Sequence, residues 1–370
     1  MDYCILFMRI LIILCLILLS FGLVYRSQFS KTVKVRSLSI SENLEVPVEI
    51  NDEDYHIFFK SGNAFYIYSD ERKSIFKYDL NQQKVVDSIN IGRLNIASKF
   101  DYCLSGNSLF TMKIDRNLIS EYRFPELQHV DDYHFADSSN SCDYSYASIY
   151  LPFSVDRNKI VVLYHVPNLF IPDQTQREAY FSSKVIAVSR LHNSNAQLIS
   201  ETGNFPKEYI SKLYNEFYPH AAVMCGGVVA SLFSNEPIIY LSNGIEKNIN
   251  GLPRNKLKEM DIDSIQFHNY TSAYNIRAEK YEWLLYDSIA KNLFIFQSHP
   301  PAPRSDGNIS LWKDKLLTVY MVDSTYTVVA KKDIDRIGTY IFPSFFCFNA
   351  KLYMGRFDRN RLKFEVYEAK

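Results

Sequence analysis

The residues best suited to chemistry lie together in one polar stretch of the chain. His129, Asp132 and His134 fall within six residues of each other, and more carboxylates follow. Imidazole and carboxylate groups are common ligands of divalent metal ions. These three side chains are therefore the candidate metal ligands, although their spacing matches no established metal-binding motif. The competing interpretation is a solvated loop, which the adjacent Ser and Asn residues favour.

Other catalytic patterns are missing. The sequence contains no GxSxG nucleophile motif. Its one Gly pair, Gly226-Gly227, is typical of a turn between strands rather than of a phosphate-binding loop. Four other His residues stand alone among aromatic residues or beside proline and are expected to be structural: His165, His220, His268 and His299. We predict no catalytic residue and no cofactor.

The composition favours strands, so we expect strands to position any functional site. Aromatic residues make up 15% of the 370 residues, and such flat, bulky side chains suit strands. Apolar residues reach 47%, enough for a large core, which excludes wholesale disorder. Lys plus Arg equals Asp plus Glu at 41 each. The chain therefore has no excess positive charge, and we predict no nucleic-acid partner.

Residues 64–91 contain the clearest repeating pattern. Three apolar segments, 64–68, 75–80 and 85–91, are separated by the polar turns SDERKS and NQQK. The first segment is apolar throughout, as expected for a strand covered on both faces, and the second alternates with a period of two. Three such strands form most of one blade of a β-propeller.

Weaker copies of this pattern continue to the C-terminus. The second strands of the six copies are predicted to begin near residues 64, 108, 159, 227, 291 and 350. The sixth copy has only three strands, and the alternating segment 31–40 can supply the fourth. We predict an all-β fold, a six-bladed β-propeller over residues 31–370 whose last blade is closed by the N-terminal strand. An irregular β-sandwich with extra strands is the alternative.

Two segments are predicted to be helical. Residues 207–218 place apolar side chains along one face at helical spacing before Pro219 ends the pattern. Residues 256–265 are a second candidate. Both are expected to lie in connections between blades.

The N-terminal residues predict export. An uninterrupted apolar run begins at Ile10 and ends at Leu19, with Arg9 before it and Ser20-Phe21-Gly22 after it. This arrangement fits a secretory signal cleaved after Gly22, and an uncleaved membrane anchor over residues 1–22 is the alternative. Residues 23–30 then form a linker to the propeller.

Four Cys remain beyond this segment, and none belongs to a CxxC pair. Cys225 and Cys347 lie in apolar runs and are predicted to be buried. A disulfide between Cys103 and Cys142 is compatible with an exported protein, but the sequence does not determine the pairing.

Three blocks of residues resemble a known bacterial family. They are the stretch YEWLLYD from Tyr281 to Asp287 with the LFIF that follows, the block FYPHAAVMCGGVVASLFSNEPIIYLSN, and the terminal LYMGRFDRNRLKFEVYEAK. Together they are similar to the family catalogued as domain of unknown function 4221. The resemblance implies an exported, propeller-like protein of Gram-negative bacteria. Many members carry a lipid anchor, but the lipid-attachment Cys is absent from this chain.

These observations predict a protein of the periplasm or cell envelope, held at the inner membrane if residues 1–22 stay attached. The first functional hypothesis is a non-catalytic scaffold that binds a protein, a peptide or a glycan. The second is a metal-dependent hydrolase or lyase with its site at the mouth of the propeller channel.

Overall fold

A computed structural model of the protein describes most of the chain beyond residue 34. The described residues are 35–49, 58–61, 64–69, 72–94, 102–113, 118–135, 143–146, 151, 153–156, 158–167, 173–212, 214, 216, 218–257, 276–301, 311–334, 336–340, 345–358 and 361–370. The predicted export segment with Arg9, Ile10, Leu19 and Gly22 lies outside them. None of the helices in these ranges is long and apolar enough to cross a bilayer.

Strands dominate the described residues, so the all-β prediction is confirmed. Antiparallel pairing between successive strands divides them into six groups, which we call units 1 to 6. Short parallel contacts join unit 2 to unit 3 and unit 5 to unit 6, so that the strands form four sheets. Unit 1 consists of β2 (Phe58–Ser61), β3 (Ala64–Ser69), β4 (Ser74–Asp79) and β5 (Lys84–Asn90). Unit 2 consists of β6 (Tyr102–Ser105), β7 (Ser108–Lys113), β8 (Leu118–Arg123) and β9 (Gln128–Phe135). Unit 3 consists of β10 (Asp143–Tyr146) and β11 (Ser154–Val155), which both pair with β12 (Ile160–Pro167), then β13 (Lys184–His192) and β14 (Asn195–Asn204).

The C-terminal half repeats the arrangement. Unit 4 consists of β15 (His220–Val223), β16 (Val229–Leu232), β17 (Ile238–Leu241) and β18 (Glu246–Asn248). Unit 5 consists of β19 (Lys280–Asp287), β20 (Asn292–His299), β21 (Leu316–Val322) and β22 (Val328–Ile334). Unit 6 consists of β23 (Phe346–Phe348), β24 (Lys351–Asp358), β25 (Arg361–Ala369) and the N-terminal strand β1 (Arg36–Glu49). The second strands of units 1 to 6 begin at 64, 108, 160, 229, 292 and 351, each within two residues of the predicted position.

The N-terminal strand completes unit 6. β1 pairs antiparallel with β25, from Leu38 opposite Ala369 to Glu49 opposite Arg361. It begins later and runs longer than the predicted 31–40, of which 31–34 lie outside the described residues. Two register shifts, after Ile40 and after Glu45, explain why the strand continues beyond the predicted end at residue 40. Such irregularities break the period-two pattern by which a strand is recognised in sequence.

The core is divided into six hydrophobic clusters, each shared by two consecutive units. The first five clusters join unit 1 to unit 2, unit 2 to unit 3, and so on to unit 6. The remaining cluster joins unit 6 to unit 1: Leu44, Phe364 and Tyr353 pack with Phe65 and Tyr78. Every unit therefore has both faces of its sheet covered. This agrees with β3, predicted to be covered on both faces, whose six residues are all buried.

The predicted helix 207–218 is largely wrong. Only α2 (Glu208–Ser211) is helical, and the chain is already extended at Lys212. The rest of the segment follows tertiary contacts, because Tyr214 joins the cluster between units 3 and 4 and Glu216 is buried. A helix that was not predicted, α1 (Gln174–Ser182), begins at Asp173, whose carboxylate accepts a hydrogen bond from the Gln176 N–H. The second candidate, 256–265, lies outside the described residues apart from 256–257.

The prediction that Cys225 is buried is wrong. Cys225 is exposed in the turn between β15 and β16, where Gly226 and Gly227 both have positive φ. This turn between strands was the predicted role of the Gly pair. Cys103 is a buried thiol whose pKa burial raises to about 12. Cys347 is half-buried, so it is less buried than predicted. Cys142 lies outside the described residues.

The contacts of β1 give a stability test with an internal control. We expect Leu44→Ala to lower the free energy of unfolding by about 2–5 kcal/mol, because it leaves a cavity in the cluster between units 6 and 1. Ile40 lies on the same strand but is 44% exposed, so Ile40→Ala should change stability by no more than about 0.5 kcal/mol. Urea denaturation at equilibrium measures both. Equal effects of the two substitutions would show that β1 does not close unit 6.

Candidate functional site

Polar side chains of unit 5 gather at one end of its sheet. Because neighbouring strands are antiparallel, the start of β19, the end of β20, the start of β21 and the end of β22 meet at the same end. The register places Gln297 opposite Thr318, and Thr318 opposite Asp333, so these three side chains share a face. His299, two residues beyond Gln297, lies on that face as well.

Four of these side chains form a continuous row of hydrogen bonds, which we call the polar row. Glu279 Oε1 lies 2.7 Å from His299 Nδ1, and His299 Nε2 lies 2.8 Å from Thr318 Oγ1. The Thr318 hydroxyl donates to Asp333 Oδ1 at 2.8 Å. His299, Thr318 and Asp333 lie on β20, β21 and β22, and Glu279 directly precedes β19. The row is half-exposed at His299 and exposed at Asp333.

The hydrogen bonds determine what the polar row can offer a ligand. Thr318 donates its only proton to Asp333, so it accepts a hydrogen bond from His299 Nε2. All three hydrogen bonds form together when His299 Nδ1 also carries a proton and donates it to Glu279. Gln297 Nε2 also donates to Glu279 Oε1. Within the described residues, Glu279 Oε2 and Asp333 Oδ2 accept no hydrogen bond. The row therefore presents two free carboxylate oxygens, one at each end.

A buried ionic cluster lies behind the polar row. Glu282 is the extra residue where the register of β19 shifts between Tyr281 and Trp283, and such bulges re-aim side chains. Its carboxylate accepts a hydrogen bond of 2.7 Å from the Ser298 hydroxyl and faces the ammonium groups of Lys280 and Lys315 at 3.5 and 3.4 Å. Lys315 is fully buried and also donates to the Ala278 carbonyl at 2.9 Å.

Burial and neighbouring charges shift the pKa values of Glu282 and Lys315 in this cluster. Burial alone would raise the pKa of Glu282, but the nearby charges of Lys280 and Lys315 outweigh it, and the net pKa is lowered. Burial lowers the pKa of Lys315 to about 8, against the opposing pull of Glu282. The cluster ties the segment before β19 to the start of β21. It therefore holds the end of the sheet in one geometry rather than exposing a reactive group.

A second buried pair lies beside it, between units 3, 4 and 5. Glu216 accepts hydrogen bonds from the Tyr209 hydroxyl and from the backbone N–H and hydroxyl of Ser234. Burial raises the pKa of Glu216 to about 7 in spite of these bonds. His220 Nε2 lies 3.9 Å from Glu216 Oε1, and burial lowers the pKa of His220 to about 4.

The predicted metal ligands meet only in part. His129, Asp132 and His134 lie on β9, where a register shift places His129 on the same face as Asp132. His129 Nε2 lies 3.0 Å from Asp132 Oδ1. Burial alone would raise the pKa of Asp132, but hydrogen bonds from Ser120 and His129 outweigh it and lower the pKa. Among the residues that the structure describes, no group of three or more His, Cys, Asp or Glu side chains could hold a metal ion.

Sequence reasoning missed the residues of unit 5. His299 was expected to be an isolated structural His, but it is the centre of the polar row. Its partners Glu279 and Thr318 are 20 and 19 residues away along the chain, and no local motif connects them. The alternation of β20 and β21 was the available signal, because it places His299 and Thr318 on one face once the register is known.

The buried pair predicts a pH dependence of stability. Glu216 has a folded pKa of about 7 against an ordinary value of 4.5, so its contribution is complete below pH 4.5 and is lost as the pH rises through 7. His220 has a folded pKa of about 4 against 6.5, so its contribution is complete above pH 6.5 and is lost as the pH falls through 4. Between pH 4.5 and 6.5 the two slopes have opposite signs and offset each other.

Single substitutions should separate the two slopes. Relative to the wild type, the free energy of unfolding of Glu216→Gln should rise with pH across this window, and that of His220→Gln should fall. Lys280 and Glu282, which also face the pair, are unchanged in both variants. Urea denaturation at a series of pH values measures the effect, and exposed His192→Gln is the matched control. Parallel pH profiles for all four proteins would contradict the prediction.

Comparison with known proteins gives a likeness in fold. No protein-family model matches the chain, and no curated protein sequence matches it. The crystal structure of a member of the DUF4221 family from Bacteroides vulgatus is similar, with a TM-score of 0.62 and 12% sequence identity. The match covers 92% of this chain and 99% of that chain.

A second crystal structure, of a Bacteroides fragilis protein described as exported, has a TM-score of 0.45 and 11% identity over 92% of this chain and 96% of that chain. That TM-score is too low to establish a common fold. The resemblance to the family of domain of unknown function 4221, predicted from the strand residues, is therefore confirmed at the level of fold by the first structure.

Proposed function

We propose that the protein is a six-bladed β-propeller of the Gram-negative cell envelope that serves as a non-catalytic scaffold and binds a protein, a peptide or a glycan. The ligand site is the end of unit 5 that carries the polar row. The observation that supports this most is the cyclic order of the six hydrophobic clusters, the last of which returns from unit 6 to unit 1.

A ring explains the pattern of contacts better than a sandwich does. In a two-sheet sandwich, each sheet buries one face against the other and leaves its opposite face toward solvent. Here each unit buries apolar side chains on both faces, against the unit before it and the unit after it. Radial repetition of four-stranded sheets is the arrangement that does this, and β1 would close the ring.

The binding role is supported by the chemistry of the site. On a propeller, function resides at the strand ends and in the loops rather than in the packed blades. The polar row joins four hydrogen-bonding side chains at such an end, and the ionic cluster of Glu282, Lys280 and Lys315 holds them in place. The cluster itself is buried and internally paired. It is suited to positioning, not to transferring protons to a substrate.

Export is proposed from the N-terminal residues. The charge of Arg9 and the apolar run from Ile10 to Leu19 are typical of a secretory segment. If cleavage follows Gly22, the propeller is released into the periplasm, and if it does not, the segment anchors the protein to the inner membrane. The balanced charge of the chain argues against a nucleic-acid partner.

Ring closure can be tested by a double-mutant cycle. Phe65 of unit 1 and Phe346 of unit 6 have ring centroids 5.3 Å apart, although they are distant in sequence. We expect Phe65→Ala and Phe346→Ala to be coupled by about 0.5–1.5 kcal/mol in urea denaturation. Phe65→Ala combined with Phe294→Ala, a buried residue of unit 5 in a different cluster, is the control and should be additive. Additivity in both pairs would argue for an open arrangement.

The scaffold can be distinguished from a metal-dependent hydrolase or lyase by its metal content. We expect elemental analysis of the purified protein to find no stoichiometric metal, and the melting temperature to stay the same after treatment with a chelator. Stoichiometric metal together with a lowered melting temperature would overturn the scaffold proposal. In that case His129→Ala and Asp132→Ala should remove the metal, and His192→Ala is the control.

A further inference from the structure

We propose that the ligand of the polar row is a neutral oligosaccharide, which also contacts Trp312 and Leu316. This inference rests on the proposed scaffold function and specifies its ligand class. It comes from the turn that precedes β21, residues 311–315, which presents large apolar side chains at the same end of the sheet as the row.

The turn is held rigidly although its apolar side chains are exposed. The Leu311 N–H donates to Asp314 Oδ2 at 2.8 Å, and the Ile337 N–H donates to the Lys315 carbonyl at 2.8 Å. A Cβ added at Gly338 would lie 2.5 Å from the Cβ of Lys313, so the two turns touch closely. Leu311 is nevertheless 47% exposed and Trp312 is 36% exposed. A fixed, exposed aromatic side chain of this kind is typical of a recognition surface.

The polar and apolar groups occupy the same end of the sheet. Leu316 pairs with His299 in the register, so the two side chains share a face, and Leu316 is 40% exposed. The Trp312 ring packs edge-on against buried Trp283, with centroids 6.1 Å apart. Trp283 belongs to the cluster on the opposite face, toward unit 6. A ligand that touches both Trp312 and the polar row must reach across the end of the sheet from one face to the other, so a chain of sugars suits the site better than a single ring.

The chemistry of these groups matches a sugar chain. Sugar hydroxyls both donate and accept hydrogen bonds, and the row offers carboxylate oxygens at both ends with an imidazole and a hydroxyl between them. The apolar faces of sugar rings can pack against Trp312 and Leu316. The carboxylates of Glu279 and Asp333 disfavour a polyanionic ligand, so the sugar chain is inferred to be neutral.

A peptide or protein ligand fits this surface less well. His299 and Thr318 lie on β20 and β21, which are both paired on both sides, so an extended peptide could not add to the sheet beside these two residues. A stable protein interface buries about 800 Å² on each partner. Among the described residues at this end of unit 5, the large exposed apolar side chains are those of Leu311, Trp312 and Leu316.

The two Trp residues of the chain are Trp283 and Trp312, so intrinsic fluorescence reports on this site. The probes are cellohexaose, maltohexaose, xylohexaose and chitohexaose, each titrated to millimolar concentration, with tryptic casein peptides as the competing class. We expect a saturable change in fluorescence with at least one oligosaccharide, and affinity at least tenfold weaker for its monosaccharide. Calorimetric titration then gives the affinities of variants that lack the reporter.

Trp312→Ala and His299→Gln should each weaken the binding of that oligosaccharide at least tenfold. Ile289→Ala removes an apolar side chain that is more exposed than Trp312 and lies at the opposite end of unit 5, and it should have no effect. The inference is overturned if folded protein responds to none of the oligosaccharides, if it responds to the peptides alone, or if both variants bind as the wild type does. A protein that keeps the Phe65–Phe346 coupling but binds no oligosaccharide would leave the scaffold proposal standing.

Discussion

The fold depends on the fact that its sheets are apolar on both faces. A strand such as β3, all of whose residues are buried, cannot lie in a sheet with a solvated face. Each unit must therefore be covered twice, and the six clusters between consecutive units provide this cover. The large aromatic content serves the same purpose, because rings such as Phe65, Tyr78 and Phe364 fill the space between two twisted sheets. In the proposed ring, the strand that closes unit 6 comes from the N-terminus, so the two ends of the chain are joined by β-pairing.

The ends of the strands are stabilised differently from the apolar faces, because polar groups at these ends need hydrogen-bonding or charged side chains as partners. Unit 5 meets this requirement with charge. Glu282, Lys280 and Lys315 are removed from water but pair with one another, which offsets a desolvation cost of several kcal/mol per ion. This pairing holds the segment before β19 against the start of β21 and so keeps the polar row in register. The same end of the sheet thus contains both a rigid support and a partly exposed set of hydrogen-bonding groups.

Periodicity and polar turns predicted the positions of the strands within a few residues, because alternation and two-sided burial leave a direct trace in the sequence. They failed where tertiary contacts overrode local preference. Residues 212–218 have a helical pattern, but the described ones among them are not helical, and Tyr214 and Glu216 are buried in tertiary contacts instead. The end of β1 was misplaced because two bulges, after Ile40 and after Glu45, interrupt its alternation. Cys225 was expected to be buried from its apolar neighbours, but the positive φ of Gly226 and Gly227 turns the chain outward.

The sequence by itself determined the class of the protein: strands in six repeats with a closing strand at the N-terminus. The export segment that it also predicts lies outside the described residues. These properties depend on the order of apolar and polar residues along the chain. Only the tertiary structure decided which polar residues meet. His299, Glu279, Thr318 and Asp333 come together because antiparallel register brings four strand ends to one edge of a sheet. Register depends on turns, bulges and packing between units, so contacts across strands that are about 20 residues apart in sequence cannot be inferred from local spacing.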